Sequence, residues 1–279
     1  MMLEKLDTLG ACLLAVLMAG TFLFFIIAHS IGFQYCKKLF GTRRITQQSQ
    51  EVPLEGNLFA ACYIRTNQPR VLDQHIHHEL PAAFLYRWYS EGKLKLVQQK
   101  PSMDIVNYLS IQKDAVIRDK EENSLYKKFC EASGENGLLG VDEVYEWSYR
   151  HPGDLYGYKP EDKGKEWFQD RRMIEPDNPK DKLTNLGIRI RSLTPEGAAK
   201  ARGLVELQNF LQAHAEDNPC DPVDTYRIDD LLCYGQFFGI ADKLAEKWSM
   251  HLSKEKTIVV GLCRDLAQAF FDGNNDETD

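Results

Sequence analysis

The feature that most constrains this chain is an uninterrupted apolar run near its N-terminus. From Leu9 to Ala28 the sequence reads LGACLLAVLMAGTFLFFIIA, twenty residues without a charged side chain. At a rise of about 1.5 Å per residue, a helix of this length spans about 30 Å, the thickness of the hydrocarbon core of a bilayer. A helix buried in a soluble domain usually keeps a polar face, whereas this run is apolar on every side. The run therefore predicts a transmembrane helix, which we place at residues 9–31.

The charges on either side of the run predict its orientation. Residues 1–8 carry no basic excess, whereas four basic residues and no acid lie between the run and Glu51, namely Lys37, Lys38, Arg43 and Arg44. Because cytoplasmic flanks carry the excess of Lys and Arg, we predict that residues 1–8 are extracytoplasmic and that the C-terminal bulk faces the cytoplasm from the inner (plasma) membrane. A cleaved signal peptide is the alternative, but it requires a positive N-terminal region and a shorter apolar core.

Residues 32–53 are predicted to be a basic juxtamembrane linker. Its four basic side chains have two interpretations: contact with anionic lipid at roughly 1 kcal/mol each, or topology determinants with no further role. Within the span, Ala11, Ala15 and Ala19 recur at every fourth position, a spacing that lets two helices approach closely in lipid. This favours a homodimer only as a hypothesis, since alanine is common in any apolar helix.

Composition and motifs exclude several classes of function. The formal net charge of −7 disfavours a general nucleic-acid binder, because neutralising phosphates supplies most non-specific affinity. None of the seven cysteines has CxxC spacing, so neither a zinc knuckle nor a redox motif is present. The sequence also has no glycine-rich phosphate loop, no GxSxG and no HExxH motif. We therefore predict no catalytic residues, no cofactor and no metal, and hence a protein that is not an enzyme.

Residues 54–118 are predicted to form a winged-helix-like unit. Asn57 is a candidate cap for a helix through Ile64, and a second helix is expected to begin at Pro81 and to end at Gly92. LKLVQ and IVNYLSI then alternate as two paired strands. Such a fold invites a DNA-binding interpretation, but Arg87 is the only basic residue of the second helix. A membrane-tethered DNA-binding regulator is therefore the alternative, and we expect nucleic acid to be an unlikely partner.

A cluster of possible metal ligands precedes Pro81. It contains Asp73, His75, His77, His78 and Glu79, which are residue types that bind zinc. The spacing matches no standard structural zinc site, and no distant Cys or His pair completes one. We therefore interpret the segment as a solvated turn.

Residues 119–193 are predicted to form a second, degenerate winged-helix-like unit with helices from Glu121, Val141 and Lys165, followed by the strand IRIRSL. Residues 194–272 are predicted to be a helical region. Its three helical stretches are a helix capped by Thr194 that reaches Ala215, a stretch from Arg227 to Trp248 that bends near Gly235 and Gly239, and a final helix from Ile258 to Phe271. An acidic tail, 273–279, ends the chain. The predicted fold class is thus mainly α with small β-hairpins (α+β), ending in a C-terminal helical bundle.

Two stretches of the C-terminal region carry a resemblance to a known family. They are LTPEGAAKARGLVELQNFLQAHAED and DLLCYGQFFGIADKLAEKW, which match the family pattern at Gly203, Phe210, Leu211, Leu232, Tyr234, Gly239 and Trp248. In these stretches the chain resembles the C-terminal cytoplasmic region of the YciQ-like predicted membrane proteins, a domain-of-unknown-function family. Cys233 stands where that family usually has Pro, and Gly235 where it has Ala. The resemblance implies winged-helix-like segments, but it supplies no activity and no catalytic residues.

The motif Leu232, Tyr234, Gly239 and Trp248 is a candidate site for packing or for a partner. The nearby acids Asp224, Asp229 and Asp230 suit the start of a helix, and only a meeting with His75, His77 or His78 would favour a hydrolase. We therefore predict a non-catalytic protein-interaction or scaffold module, anchored in the membrane, with a protein partner that the sequence does not identify.

Overall fold

The computed structural model of the chain describes residues 45–66, 76–100, 105–151, 159–175, 193–216 and 223–273. The predicted transmembrane helix, the basic residues Lys37, Lys38, Arg43 and Arg44, and the tail beyond Gly273 lie outside these residues. Within the described ranges, no helix is both long enough and apolar enough to cross a bilayer.

The described residues form nine α-helices and a small antiparallel sheet, which confirms the predicted mainly helical α+β class. The helices are α1 (Leu58–Thr66), α2 (Ile76–Ser90), α3 (Lys120–Ala132), α4 (Val141–Arg150), α5 (Pro160–Asp170), α6 (Pro195–Ala215), α7 (Ile228–Phe237), α8 (Ala241–Lys247) and α9 (Lys254–Asp272). The strands are β1 (Leu94–Gln99), β2 (Val106–Ile111) and β3 (Leu138–Leu139).

Helix α1 begins as predicted, but α2 does not. Asn57 caps α1 by accepting a hydrogen bond from the Ala60 amide at 2.8 Å. The prediction that α2 begins at Pro81 is wrong, because the helix begins at Ile76 and Pro81 lies inside it. The solvated turn expected at residues 75–79 is likewise wrong where the structure describes it, since Glu79 pairs with Arg65. The ion pair of Glu79 with Arg65 ties the first turn to α1, and this tertiary contact outweighs the preference of proline for the first position of a helix.

The predicted hairpin is confirmed, and the sheet has one strand more. β1 pairs with β2 in antiparallel register, with Leu94 opposite Ile111 and Leu96 opposite Leu109. β3 adds to the other side of β2 through Leu109 and Leu139. Two residues are too few to show a strand period, so β3 has no signal in the sequence.

Helix α3 begins at a side-chain cap, whereas α4 and α5 have none. Asp119 caps α3 by accepting hydrogen bonds from the amides of Glu121 and Glu122, each at 2.9 Å. Helix α4 begins at Val141 as predicted. The prediction that the next helix runs from Lys165 is wrong, because α5 begins at Pro160, with the proline and two acids in its first turn. Of the predicted strand IRIRSL, only Leu193 lies within the described residues, where it forms an isolated bridge with Ile174.

The C-terminal helices follow the predicted order with shifted boundaries. Thr194 caps α6, its hydroxyl accepting from the Gly197 amide at 3.2 Å. The break in the 227–248 stretch lies at Gly239, with φ of +70°, whereas Gly235 lies inside α7. The final helix begins at Lys254, a turn earlier than expected, because Ser253 accepts a hydrogen bond from the Lys256 amide.

Helix α2 lies at the centre of the hydrophobic core and contacts α1, α7 and α9. Phe84, Leu85, Tyr86 and Trp88 are each at most 1 % exposed. An aromatic series continues from Trp88 onto Tyr126 of α3, with ring centroids 4.7 Å apart. Elements from all three predicted segments, 54–118, 119–193 and 194–272, contribute to one core cluster. The boundaries of those segments remain sequence predictions.

Candidate functional site

Three side chains of the predicted motif are buried in helix packing. Leu232 and Tyr234 on α7 are at most 1 % exposed, and Trp248 at the end of α8 is 3 % exposed. The Tyr234 hydroxyl donates to the carbonyl oxygen of Pro53 at 3.2 Å, and burial raises its pKa. The Trp248 indole N–H donates to Nδ1 of His214 on α6 at 3.2 Å. These three residues therefore join α7 and α8 to other parts of the fold.

Gly239, the fourth residue of the motif, lies in the turn between α7 and α8. With its φ of +70°, a Cβ at this position would collide with Oε1 of Glu79. Glu79 forms an ion pair with Arg65, whose side chain is 11 % exposed. Arg65 also donates to the carbonyl of Phe237 and lies over the Phe237 ring, 5.4 Å from its centroid. Glycine is required here because this charged pair occupies the space that a side chain would fill.

A second polar group joins α2, α7 and α9 around Asp229. The hydroxyl of Tyr86 donates to Asp229 at 3.1 Å, and the ammonium of Lys256 lies 2.6 Å from the same carboxylate. On the next turn of α2, the Tyr89 hydroxyl donates to Glu255 at 3.0 Å. Burial, and then the Asp229 charge, raises the pKa of Tyr86. Because Tyr86 is fully buried, this group cross-links the three helices.

Of the three histidines near the start of α2, only His78 has a side chain that the structure describes. The His78 ring contacts Phe271 edge-on, with centroids 4.9 Å apart, while Asp229 bonds Tyr86 and Lys256. His75 lies outside the described residues, and the side chain of His77 is not described. Among the described residues, no three His, Cys, Asp or Glu side chains are grouped to hold a metal ion.

The cysteines of the described region are free thiols of low reactivity. Three of them, Cys62, Cys233 and Cys263, are buried, and Cys130 is half-buried. Burial raises the pKa of Cys62 to about 12 and that of Cys130 to about 11. Since the thiolate is the nucleophile and the metal ligand, these groups are inert near neutral pH.

The structure adds a feature that the sequence did not indicate, a docked segment at residues 45–53 that we call the strap. Ile45 is 7 % exposed, and the Asn209 side chain on α6 donates to the carbonyls of Ile45 and Gln47 at 3.0 and 3.1 Å. The Ser49 amide donates to the carbonyl of Glu206 at 3.2 Å. The strap therefore lies along α6 as part of the folded body. The sequence predicts a linker over residues 32–53, whereas residues 45–53 of that range pack against the body.

The strap ends in a left-handed turn, Leu54–Gly56, in which all three residues have positive φ. Such values are costly for Leu and Glu, so the surroundings must hold the turn in place. The guanidinium of Arg87 on α2 donates to the Gly56 carbonyl at 2.6 Å. Arg171 and Lys200 pair with the Glu55 carboxylate at 3.0 and 3.4 Å. The hydrogen bond from Arg171, above all, holds the pKa of Glu55 below its ordinary value.

Sequence reasoning missed the strap, the left-handed turn and the Arg65–Glu79 pair for one reason. Each depends on residues far apart in the chain, such as Arg87 with Gly56 or Asn209 with Ile45. Local patterns report helices, caps and turns, but they carry no signal for such contacts. The nearest hint was Asn57, which caps α1 and thereby marks where the turn ends.

No protein-family model matches the chain, and comparison with curated proteins and with solved structures found no match. The resemblance to the YciQ-like predicted membrane proteins therefore stays a sequence-based prediction.

Proposed function

We propose that the chain is a single-pass protein of the plasma membrane whose folded body faces the cytoplasm and acts as a non-catalytic protein-interaction or scaffold module. The proposal combines the apolar run Leu9–Ala28 and its basic flank with the way the chain enters its folded body. Under this proposal Lys37, Lys38, Arg43 and Arg44 lie at the cytoplasmic surface of the bilayer.

The observation that carries the proposal is the strap. Because residue 45 already packs against the body, at most residues 32–44 separate the proposed span from it. Thirteen fully extended residues reach at most about 45 Å. The body is then held in a layer that begins within about 45 Å of the membrane surface. A module placed in this way is suited to partners that are themselves in or on the same bilayer.

A non-catalytic role is supported by the ionisable side chains of the described region, which bind other parts of the protein. Asp229, Tyr86 and Lys256 hold α2, α7 and α9 together, and Arg65 with Glu79 holds the turn after α7. A catalytic acid or base must reach a substrate atom. Each of these groups instead contacts another element of the protein.

At finer detail, we propose the architecture predicted from sequence. Residues 54–118 and 119–193 would be tandem winged-helix-like units, and residues 194–272 a C-terminal helical bundle. The Ala11, Ala15 and Ala19 stripe would support a homodimer within the membrane.

The environment of α2 disfavours the alternative, a membrane-tethered DNA-binding regulator. A recognition helix exposes polar and basic side chains toward the major groove. Helix α2 instead buries Phe84 and Trp88 between neighbouring helices, and its arginine bonds the Gly56 carbonyl. Salt-dependent binding of the full chain to duplex DNA would favour the regulator over the interaction module.

Site-directed photocrosslinking in native membranes tests the proposal. A photoreactive residue is placed in the full chain at Val116, Tyr226 or Met250, side chains that are at least 80 % exposed. We expect a discrete adduct with a membrane-associated protein at some of these positions and not at others. A flexible Gly/Ser insert of about 30 residues after residue 44 should lower the adduct yield, because it releases the body from the surface layer. Equal, diffuse labelling at all three positions would contradict the proposal.

A further inference from the structure

The sheet has an open edge whose hydrogen-bonding groups are fixed by the register. β1 is the outer strand, and no other strand in the described ranges pairs with its far side. The Gln112 amide donates to the carbonyl of Lys93, which makes these two residues a hydrogen-bonded pair. Because such pairs alternate along an antiparallel ladder, Lys95, Val97 and Gln99 direct their backbone groups at β2. The N–H and C=O groups of Leu96 and Gln98 therefore point outward.

The side chains along this edge carry positive charge in a protein that is acidic overall. Lys93, Lys95 and Lys100 lie on or beside β1, and the sequence has no acid between Gly92 and Met103. Lys93 is paired with Glu91, whereas Lys95 is exposed and belongs to no ion pair within the described residues. The net charge of the whole chain is −7. The edge is thus a local basic strip with free backbone donors and acceptors.

We propose that the outer edge of β1 binds an acidic, extended segment of a partner protein as an added antiparallel strand. This assigns a site to the proposed interaction module, and in that sense it rests on the proposed function. Strand addition uses the backbone for affinity and alternate side chains for specificity. A second copy of the chain fits this edge less well, because pairing two β1 strands would bring two sets of lysines together.

The register specifies the side chains that the added strand should carry. A residue opposite Lys95 or Val97 would be in a non-hydrogen-bonded pair, with Cα atoms about 4.5 Å apart, so its side chain lies close to theirs. A carboxylate is favoured opposite Lys95 and an apolar side chain opposite Val97. A second apolar residue opposite Leu96, which is half-buried, would extend the covered face of the sheet.

A synthetic peptide with this pattern tests the site. The probe is acetyl-Glu-Thr-Thr-Val-Val-Glu-Thr-amide, whose first and sixth residues would lie opposite Lys100 and Lys95. It is titrated against the full chain in lipid nanodiscs, with amide hydrogen exchange as the readout. We expect saturable protection of the Leu96 and Gln98 amides. The Lys95 and Val97 amides, already bonded to β2, should change little, which provides an internal control.

A matched pair of variants and a charge reversal distinguish strand addition from non-specific charge attraction. Gln98→Pro removes an outward N–H and leaves the ladder to β2 intact. Gln98→Thr also loses the side-chain hydrogen bond to Asn107, which measures 2.8 Å, but it keeps the N–H. The proline variant should bind the peptide at least about tenfold more weakly, and the threonine variant within about twofold of the wild type. Lys95→Glu should weaken binding about two- to fivefold, and a peptide with Lys at its sixth position should restore it.

The proposal is overturned if the Leu96 and Gln98 amides gain no protection at millimolar peptide, or if Gln98→Pro binds as well as Gln98→Thr. It is also overturned if protection of these amides occurs without peptide and depends on protein concentration, since a second copy would then be the occupant. These failures are distinguishable from failure of the proposed function. A photocrosslinked membrane partner whose yield is unchanged by Gln98→Pro would leave the interaction module standing and reject this site.

Discussion

Gly239 shows at the scale of a residue how the fold depends on contacts that are remote in sequence. Its φ of +70° lets the chain turn from α7 into α8. The same position lies against Glu79, whose partner Arg65 also binds the end of α7. A side chain at residue 239 would therefore disturb three helices at once.

We expect Gly239→Ala to lower the free energy of unfolding by about 2–4 kcal/mol, from backbone strain together with displacement of the Arg65–Glu79 pair. Gly92→Ala is the matched control, because Gly92 has φ of +77° and no atom within 4 Å of the added methyl group. It should cost only about 1 kcal/mol. Urea unfolding followed by tryptophan fluorescence measures both values. Equal losses in the two variants would show that the contact with Glu79 contributes nothing.

Glu55 supports a prediction of pH dependence. Its folded-state pKa is lowered below the ordinary value of 4.5 by the hydrogen bond from Arg171. The contribution of Glu55 to the free energy of unfolding is therefore fully present well above pH 4.5 and is lost as the pH falls through the folded-state pKa. Because the side chain is exposed, solvent screening limits the effect to a few tenths of a kcal/mol.

We expect Glu55→Gln to be slightly less stable than the wild type at pH 7 and equal to it once the pH has fallen well below the folded-state pKa of Glu55. Glu135→Gln, at an exposed carboxylate with no ion pair among the described residues, should match the wild type throughout. Thermal unfolding across this pH range gives the comparison. A Glu55→Gln deficit that persists or grows in acid would contradict the assigned direction of the pKa shift.

At the scale of elements, the strap shows how contacts with a helix order a polar segment. Its sequence, ITQQSQEVP, is polar and has no helical or strand period. It is ordered because, along α6, the Asn209 side chain donates to the carbonyl of Ile45 and the carbonyl of Glu206 accepts from the Ser49 amide. The left-handed turn then fixes the far end of the strap, because Arg87 binds its Gly56 carbonyl and Arg171 pairs with its Glu55 carboxylate.

Asn209→Ala should release the strap without unfolding the body. Losing two side-chain hydrogen bonds costs about 1–2 kcal/mol locally. The amide of Ser49, bonded to Glu206, should then exchange about 5–30 times faster, while amides of α2 are unaffected. Gln208→Ala, one residue away on α6, is the control and should leave Ser49 unchanged. Faster exchange in α2 as well would show that the strap belongs to the global core.

Elements with strong local signals were predicted from sequence, and those that depend on tertiary contacts were not. The helix capped by Thr194 and the hairpin of β1 and β2 were predicted because capping residues and alternation are local. The start of α2 was missed because packing carries the helix through Pro81. In the candidate motif, Leu232, Tyr234 and Trp248 were identified, but their partners at Pro53 and His214 were not. A single sequence does not encode such pairings in any local pattern.

At the scale of the whole molecule, the proposed membrane span and the folded body are separated by at most residues 32–44. The strap packs residue 45 against the body, as the burial of Ile45 shows. Residues 32–44 would therefore set the distance between body and bilayer. Under the proposed topology, the buried, protonated thiols of the body would lie in a reducing compartment.

Topology mapping tests this central claim most directly. An epitope tag is fused after Asp279, and its antibody is applied to intact and to permeabilised cells. We predict labelling only after permeabilisation, with the chain recovered in the carbonate-resistant membrane fraction and still containing residues 9–31. Labelling of intact cells, or a mature chain that lacks the Leu9–Ala28 run, would contradict the account.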